Sequence, residues 1–384
     1  MNKKHLETIF KNYIDNFEQI TGHPHNECYK WQIAKQFRPM MDGALAASTV
    51  DFADKLSAIQ KLTGNLTDSG HALPFTGLVK AAEKDPGAVQ EMFRALYADS
   101  MNDPEERQAR VEAFLKKSQE IIEKADLGGH LYQNNPRSVS VYLFLYDPDN
   151  NYIFKPYDSR EFADCVEYYD DWGQGADVKF DVYYRMCDQL VEAIKADAAL
   201  METDASRFSD GWGVDPASLH PDPEKHILAF DLIHACAHYG LYSGVNFDKT
   251  TSKERQLRIE RKKKAEELAE KLDQKRVQKG QYDEAIRYLN QVYTAGTTIT
   301  HKKFGAGTII GTSGSIIEVE FLGEGIKKLG LAGSVSNGII SVDVENYTDK
   351  VTEYRTILLK SEKTLSDAVE NAEKELDPYL EYLE

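Results

Sequence analysis

The sequence has no long apolar run and few cysteines, and both absences limit the class of protein. No window approaches ~18 uninterrupted apolar residues, the length that a membrane-spanning helix needs. The four cysteines, Cys28, Cys165, Cys187 and Cys236, are far apart and form no CxxC pair. That spacing argues against a zinc ribbon or a disulfide framework. The chain also opens with an amphipathic pattern instead of an apolar signal segment, so we expect a folded, cytoplasmic protein with reduced, mostly buried thiols.

Positive charge is also in deficit. The chain has 46 Lys and Arg against 63 Asp and Glu, for a formal net charge of −17. Such a balance repels a phosphate backbone, so any contact with nucleic acid must be local.

Recognisable catalytic motifs are missing as well. No Gly-x-x-x-x-Gly-Lys-Ser/Thr phosphate loop occurs. Ser243-Gly244 lacks the preceding glycine of a nucleophile elbow, and no Ser-x-x-Lys is found. We therefore expect a protein that is not an enzyme and that uses no cofactor and no metal.

The hydrophobic pattern predicts an α+β multidomain protein. Apolar residues at three- and four-residue steps indicate helices through most of a body spanning 1–248. A charged helical linker is expected at 249–296, a small SH3/Tudor-like β-barrel at 297–347 and an acidic C-terminal helix at 348–384. A length of 384 residues allows two or three domains.

One β-hairpin is expected inside the helical body, at about 138–157. The run Ser138 to Tyr146 is β-branched and aromatic, a turn-like Asp-Pro-Asp-Asn-Asn follows, and Tyr152 to Pro156 reads as extended.

The stretch from Lys249 to Gly280 is locally basic, with twelve Lys and Arg against six Asp and Glu. A solvated linker helix is the simplest interpretation of such mixed charge. It is also the one stretch that could meet phosphates. The candidate binding residues there are Arg255, Arg258, Arg261, Lys262, Lys263 and Lys264.

The most informative motif is His301-x-x-Phe304-Gly305-x-Gly307-Thr308-Ile309, followed by an alternating strand that ends in Phe321. Gly305 and Gly307 are expected to permit a tight turn with positive φ, and Phe304 to plug one end of a small barrel. Specificity is then expected to lie on His301, Lys302 and Lys303.

This segment resembles the Tudor-like module at the C-terminus of UvrD/PcrA-type helicases. The resemblance covers about 50 residues and implies a unit that docks a protein or lies near nucleic acid. The chain has none of the helicase body.

The body resembles the region ahead of the motor in McrB-like AAA+ restriction and defence proteins. The positions that carry it are scattered over 7–239 and include Tyr29-Lys30-Trp31, Phe93-Arg94, Lys155-Pro156-Tyr157 and Pro221-Asp222-Pro223. The resemblance implies a phage-defence or restriction context. Motor function does not follow, because the phosphate loop is absent.

Three other clusters have a functional and a plain structural interpretation. His234 and His238, four residues apart, could offer two imidazoles to a metal, but Ala235 replaces the zincin glutamate and we favour histidines packed beside Phe230 and Tyr239. Asp149, Asp177 and Lys179 formally echo metal-dependent nucleases, although Pro and Asp are ordinary turn formers. The acidic cluster Glu167, Asp170 and Asp171 is expected to be a solvated loop.

These observations favour a non-enzymatic adaptor that docks a protein partner, such as an AAA+ motor, a nuclease or a polymerase, through its barrel. Direct binding of DNA or RNA by the basic linker and barrel is the alternative, and a metal-dependent nuclease is the second alternative. The partner and the oligomeric state stay open, as does the question whether the acidic C-terminal helix covers the basic linker.

Overall fold

The computed structural model describes residues 1–98, 103–209, 211–345 and 347–383. The chain divides into two compact units, Met1–Arg255 and Gln256–Glu384. Within the described residues it is mainly helical and has a single five-stranded antiparallel half-barrel sheet. This is the α+β layout expected from the hydrophobic pattern. No helix in the described part of the chain combines the length and apolarity needed to cross a membrane.

Twelve helices are described in the first unit before residue 250. They are α1 Lys3–Asp15, α2 Phe17–Thr21, α3 Tyr29–Leu45, α4 Thr49–Thr67, α5 Pro74–Ala82, α6 Pro86–Leu96, α7 Pro104–Lys124, α8 Pro136–Tyr146, α9 Pro156–Cys165, α10 Phe180–Ala196, α11 Ala198–Ser206 and α12 His226–His238. Their apolar faces meet in one continuous core that runs from Leu6 to Leu241. All four cysteines are free and buried in this unit.

Proline marks the start of many of these helices. Pro86 begins α6 behind Asp85, whose carboxylate accepts a hydrogen bond from Ala88 N at 3.2 Å. Pro104 likewise begins α7 behind Asp103. A proline at the first helical position loses no intrahelical hydrogen bond, because its nitrogen would have no partner there.

The prediction of a β-hairpin at 138–157 is wrong. Residues 136–146 form α8, which starts at Pro136 with Asn135 as its N-cap and a reciprocal capping bond from Ser138. Nearly every side chain from Val139 to Leu145 is buried. A helix surrounded by core needs apolar residues on all sides, so tertiary burial and capping outweigh the β-propensity of the sequence.

The second half of the expected hairpin is extended but pairs with no strand in the described part of the chain. Tyr152, Ile153 and Phe154 are buried, and side chains form hydrogen bonds with two of their backbone groups. Ser140 Oγ accepts from Phe154 N at 3.0 Å, and Tyr183 Oη donates to Ile153 O at 2.8 Å. A buried extended segment can therefore persist without a ladder partner.

The second unit begins within a long helix. This helix, α13 Ser252–Val292, starts at the last residues of the first unit and is followed by β1 Thr298–His301, β2 Gly305–Ser313, β3 Ile316–Phe321, β4 Gly325–Gly330, α14 Leu331–Ser336, β5 Ile340–Ser341, α15 Tyr347–Leu358 and α16 Glu362–Leu376. The strands lie in the order β4-β3-β2-β1-β5, with a bulge in β2 between Ile309 and Gly311.

Buried and more exposed side chains alternate along β3, and the buried ones form the inner face of the sheet. Ile317, Val319 and Phe321 are buried, whereas Ile316 and Glu320 are exposed. The inner face packs with Leu289 from α13 and with Tyr293, the residue after this helix, in a core separate from that of the first unit. Each unit therefore has apolar packing of its own.

Candidate functional site

The turn from β1 to β2 carries the motif that the sequence singled out. His301, the first of the three predicted contact residues, is 7% exposed. Its Nδ1 accepts hydrogen bonds from Lys303 N at 3.0 Å and Phe304 N at 3.2 Å. The His301 ring also stacks on Phe304 with centroids 4.5 Å apart. His301 is therefore buried and not exposed, because its ring holds the turn, and its predicted binding role stays a prediction.

Phe304 is half-buried and forms the apolar centre of this turn. Its ring lies 5.4 Å from that of Phe321, centroid to centroid, at one end of the inner sheet face. Lys303 Nζ lies 5.4 Å and Lys327 Nζ 5.5 Å from the Phe304 centroid. Ammonium groups at this range are attracted to the ring face.

Lys302 and Lys303 are exposed, as the sequence predicted. Among the described residues, no carboxylate lies within 4.0 Å of the ammonium group of Lys302, Lys303 or Lys327, whereas the neighbouring Lys328 is paired with Glu318 at 2.8 Å. Lys302, Lys303 and Lys327 are hereafter the basic tip. Sequence reasoning missed Lys327, because only the β3–β4 pairing brings it beside Phe304.

The two glycines of the motif act for different reasons. Gly305 has a φ of +70°, the left-handed conformation expected of the turn. Gly307 lies inside β2 without a positive φ, and a Cβ there would lie 2.4 Å from Phe321 Cδ1. Its role is therefore close packing, which corrects the expectation that both glycines supply positive φ.

Arg255, predicted to belong to a basic binding surface, is enclosed in the first unit. Its guanidinium is paired with Asp164 at 2.7 Å and donates to Tyr168 O at 3.2 Å. The same group lies 4.7 Å from the centroid of Trp172. With 7% exposure, Arg255 is buried and paired within the first unit, and its predicted binding role stays a prediction.

The other five predicted binding residues of α13 lie in the second unit, on a helix with several internal charge pairs. Arg258 and Lys262 are half-buried, and Arg261, Lys263 and Lys264 are exposed. Arg261 donates to Tyr382 Oη at 2.7 Å. Lys262 and Lys264 each lie near a glutamate one helical turn further on, at 3.9 and 4.0 Å. Much of the positive charge is thus balanced locally.

The acidic helix α16 lies along α13. Leu268 and Leu272 of α13 pack with Ala372 and Leu376 of α16. Two ion pairs flank this contact, Lys271–Glu375 at 2.7 Å and Arg276–Glu373 at 2.8 Å. The charge complementarity seen in the sequence is therefore realised in the second unit, and it covers part of the basic helix.

The residues of the nuclease alternative do not share one site. Asp149 lines an open groove of about 1040 Å³ together with Asp181 and Asp188, and neither Asp177 nor Lys179 lines it. Both of those residues are exposed. A two-metal site needs its ligands around ions about 4 Å apart, so this grouping is not supported by their placement.

The acidic cluster likewise does not converge on one point. Glu167 accepts from Asn2 Nδ2 at 3.0 Å, Asp170 from Tyr168 Oη at 2.8 Å and Asp171 from Gly173 N at 3.0 Å. Each carboxylate has a separate partner.

His234 and His238, in contrast, meet a third polar side chain. Asp158, at the start of α9, places Oδ2 3.4 Å from His234 Nδ1 and 3.3 Å from His238 Nε2. His234 does stack on Phe230 and contacts Tyr239 edge-on, as expected. The sequence showed the histidine spacing but not Asp158, which is 76 residues away from His234.

A lysine completes this cluster. Lys155 Nζ lies 3.3 Å from His234 Nδ1 and 3.8 Å from Asp158 Oδ2. Burial lowers the pKa of Lys155 to about 8 and also lowers the pKa of His234, so the imidazole is neutral near pH 7. The pKa of Asp158 is lowered despite its burial, because the His234 hydrogen bond and the Lys155 charge favour the carboxylate.

A buried ionic network lies behind His234. Lys30 pairs with Glu27 at 2.8 Å and with Asp231 at 2.5 Å, and all three side chains are almost fully buried. Tyr239 donates to Glu27, whose Oε1 lies 3.7 Å from His234 Nε2. Removing one partner of such a network leaves a buried charge unpaired, so these residues hold Glu27 and His234 in place.

Comparison of the chain with protein families, with curated proteins and with solved structures finds no match.

Proposed function

We propose that the chain is a non-enzymatic adaptor whose second unit docks an acidic segment of a protein partner at the basic tip. The observation that carries the proposal is the pair of lysines at the half-buried Phe304 ring, Lys303 and Lys327, with the exposed Lys302 next to Lys303 in the chain and no carboxylate partner for the three among the described residues. In this proposal the half-barrel acts as the SH3/Tudor-like docking module that the helicase resemblance implies. The McrB-like resemblance of the first unit supports a restriction or defence context for the partner.

The chemistry at the tip favours a short acidic peptide. Lys303 and Lys327 flank an aromatic ring, so a carboxylate-bearing segment with one apolar side chain can contact both charge and ring. The contact is small, and its affinity depends on a few central groups more than on area. Partner carboxylates lose less hydration at an exposed tip than in a closed pocket.

Nucleic acid is the competing ligand class, and the charge distribution of the second unit disfavours it. Residues 256–384 contain nineteen Lys and Arg against twenty-two Asp and Glu. The basic helix α13 is paired in part with α16. A phosphate backbone that reached the three lysines of the tip would extend beyond them over a unit of net negative charge, whereas a short acidic segment contacts the tip alone.

The test uses the full chain and a fluorescein-labelled decapeptide of Glu and Asp with one central Phe. Fluorescence anisotropy should show saturable binding that weakens at least tenfold when Lys302, Lys303 and Lys327 are all replaced by Glu. The matched control replaces Lys55, Lys61 and Lys116 by Glu, which changes the net charge equally at exposed positions of the first unit. The control should bind like the unmodified chain.

Single-stranded DNA, duplex DNA and RNA of 20 nucleotides serve as comparison probes. Binding of nucleic acid but not of the peptide, with a steep dependence on salt, would replace the adaptor by the nucleic-acid alternative. An equal loss of peptide affinity in the tip variant and in the control would show that binding depends only on net charge, and would contradict the proposal.

A further inference from the structure

We propose that Asp158, His234 and His238 form a binding site for a divalent transition-metal ion, with Zn²⁺ the preferred ion. The site lies in the first unit, where α9 packs on α12, and it is independent of the proposed docking function. It is the one group of three His, Cys, Asp or Glu side chains in the described part of the chain whose ligand atoms converge, all within 4.8 Å of one another. Two imidazoles and a carboxylate are a usual ligand set for Zn²⁺.

The separations of the ligand atoms fit a tetrahedral ion. Zinc lies about 2.1 Å from imidazole nitrogen and carboxylate oxygen, so two ligands of a tetrahedral site are roughly 3.4 Å apart. Asp158 Oδ2 is 3.4 Å from His234 Nδ1 and 3.3 Å from His238 Nε2. The remaining separation, between the two imidazole nitrogens, is at most 4.8 Å, and tetrahedral coordination would require the exposed His238 side chain to move closer to His234.

Binding of an ion would fix the tautomer of His234. Coordination requires an unprotonated Nδ1, the atom that lies 3.3 Å from Lys155 Nζ and 3.4 Å from Asp158 Oδ2. The ring proton is then on Nε2, which faces Glu27 Oε1 at 3.7 Å. Metal-binding histidines commonly direct their other N–H at a carboxylate, which orients the ring and strengthens the ligand.

Glu27 is itself fixed, by Lys30 at 2.8 Å and by the Tyr239 hydroxyl. The buried network therefore supports the ligand from behind. A network of buried charges restricts the positions available to His234, which lowers the entropy lost when an ion binds.

The opposite side of the site is open. The His238 side chain is 48% exposed, against 15% for His234 and 12% for Asp158. Three protein ligands with a solvent-facing side leave a coordination position for water or for a donor from another molecule. An ion can enter without unfolding α12.

Lys155 is the competitor that makes the proposal testable. Its ammonium group contacts His234 Nδ1 and Asp158 Oδ2, two of the atoms that the ion would contact. If the cluster is a metal site, removing this positive charge lowers the repulsion of the ion. If the cluster is purely structural, Lys155 is the cation it requires and its removal creates no affinity for metal.

The experiment titrates the untagged full chain with Zn²⁺ by calorimetry and with Co²⁺ by visible absorption, since Co²⁺ replaces Zn²⁺ and has d–d bands that Zn²⁺ lacks. We expect one ion per chain, at least tenfold weaker binding in His238→Ala and in Asp158→Asn, and tighter binding in Lys155→Met. His71→Ala and His130→Ala, which remove exposed histidines elsewhere, are the controls and should bind like the unmodified chain. Thermal melts verify that each variant is folded.

Absence of a one-to-one complex in both the unmodified chain and Lys155→Met would overturn the proposal. Binding that survives both His238→Ala and Asp158→Asn would also overturn it, because the ion would then be elsewhere. His238→Ala keeps the test decisive if Asp158→Asn does not fold, since His238 is half exposed and lies at the end of α12.

Discussion

At the scale of single residues, the motif around Phe304 contains two glycines that are needed for different physical reasons, although the sequence shows only the same residue twice. Gly305 adopts a backbone conformation that other residues avoid, whereas Gly307 leaves room for the Phe321 ring. The position of His301 beside Lys302 and Lys303 predicted a contact residue. In the structure its Nδ1 accepts hydrogen bonds from two backbone N–H groups. A linear sequence does not distinguish a histidine that accepts from the backbone from one that faces a ligand.

Gly307→Ala is expected to destabilise the second unit. The added methyl group would lie 2.4 Å from Phe321 Cδ1, so the ring or the strand must shift, at a cost of about 1–3 kcal/mol. Gly330→Ala is the control, because nothing lies within 4 Å of a Cβ there and φ is −72°. Chemical denaturation followed by far-UV circular dichroism measures both. Equal stability of the two variants would contradict the packing role of Gly307.

At the scale of elements, α8 shows why part of the fold was missed. Local β-propensity predicted a strand from Ser138 to Tyr146, but burial on all sides made a helix the better structure. The helical content of the body as a whole was predicted, because apolar residues recur at helical spacing along most of it. The convergence of Asp158 with His234 depends on the contact between α9 and α12, which no local signal reports.

The start of α12 gives a pH-dependent prediction. Asp222 accepts from Ile227 N at 3.1 Å and Leu228 N at 3.0 Å, and burial raises its pKa from 3.8 to about 6. The folded chain therefore binds this proton more tightly than the unfolded chain. The stability that Asp222 contributes is fully present below pH 4 and is lost as the pH rises through 6.

Asp222→Asn retains an oxygen acceptor for the two N–H groups but cannot ionise. Relative to the unmodified chain, its free energy of unfolding should increase between pH 4 and pH 7 by up to roughly 3 kcal/mol, at about 1.4 kcal/mol per pKa unit. Urea titrations at several pH values measure this difference. A difference that stays constant over this range would show that Asp222 has an ordinary pKa.

At the scale of the whole molecule, the division into two units with separate cores predicts separable unfolding. Lys30→Met leaves Asp231 and Glu27 buried without their cation and should destabilise the first unit by about 3–5 kcal/mol. Lys11→Met, which breaks an exposed pair with Asp15, is the control and should cost less than about 1 kcal/mol.

Calorimetry of the full chain should then show two transitions. Lys30→Met should lower the midpoint of one transition and Gly307→Ala that of the other. A single transition shifted by both variants would mean that the units unfold together.

The α+β class, with a mainly helical chain and a small antiparallel sheet, could be predicted from the sequence, because it depends on local periodicity. Only some residues of the basic tip and of the Asp158 cluster could be identified from the sequence. Lys302, Lys303, His234 and His238 stood out by their spacing, but Lys327 and Asp158 are brought in by tertiary contacts.

The central claim is that an acidic protein segment docks at the basic tip. Amide chemical shifts of the isotopically labelled full chain, titrated with the acidic decapeptide, test it most directly. The account predicts that the largest saturable shifts occur at Lys302, Lys303, Phe304 and Lys327. Largest shifts in the first unit or along α13, or no shifts at high peptide concentration, would contradict it.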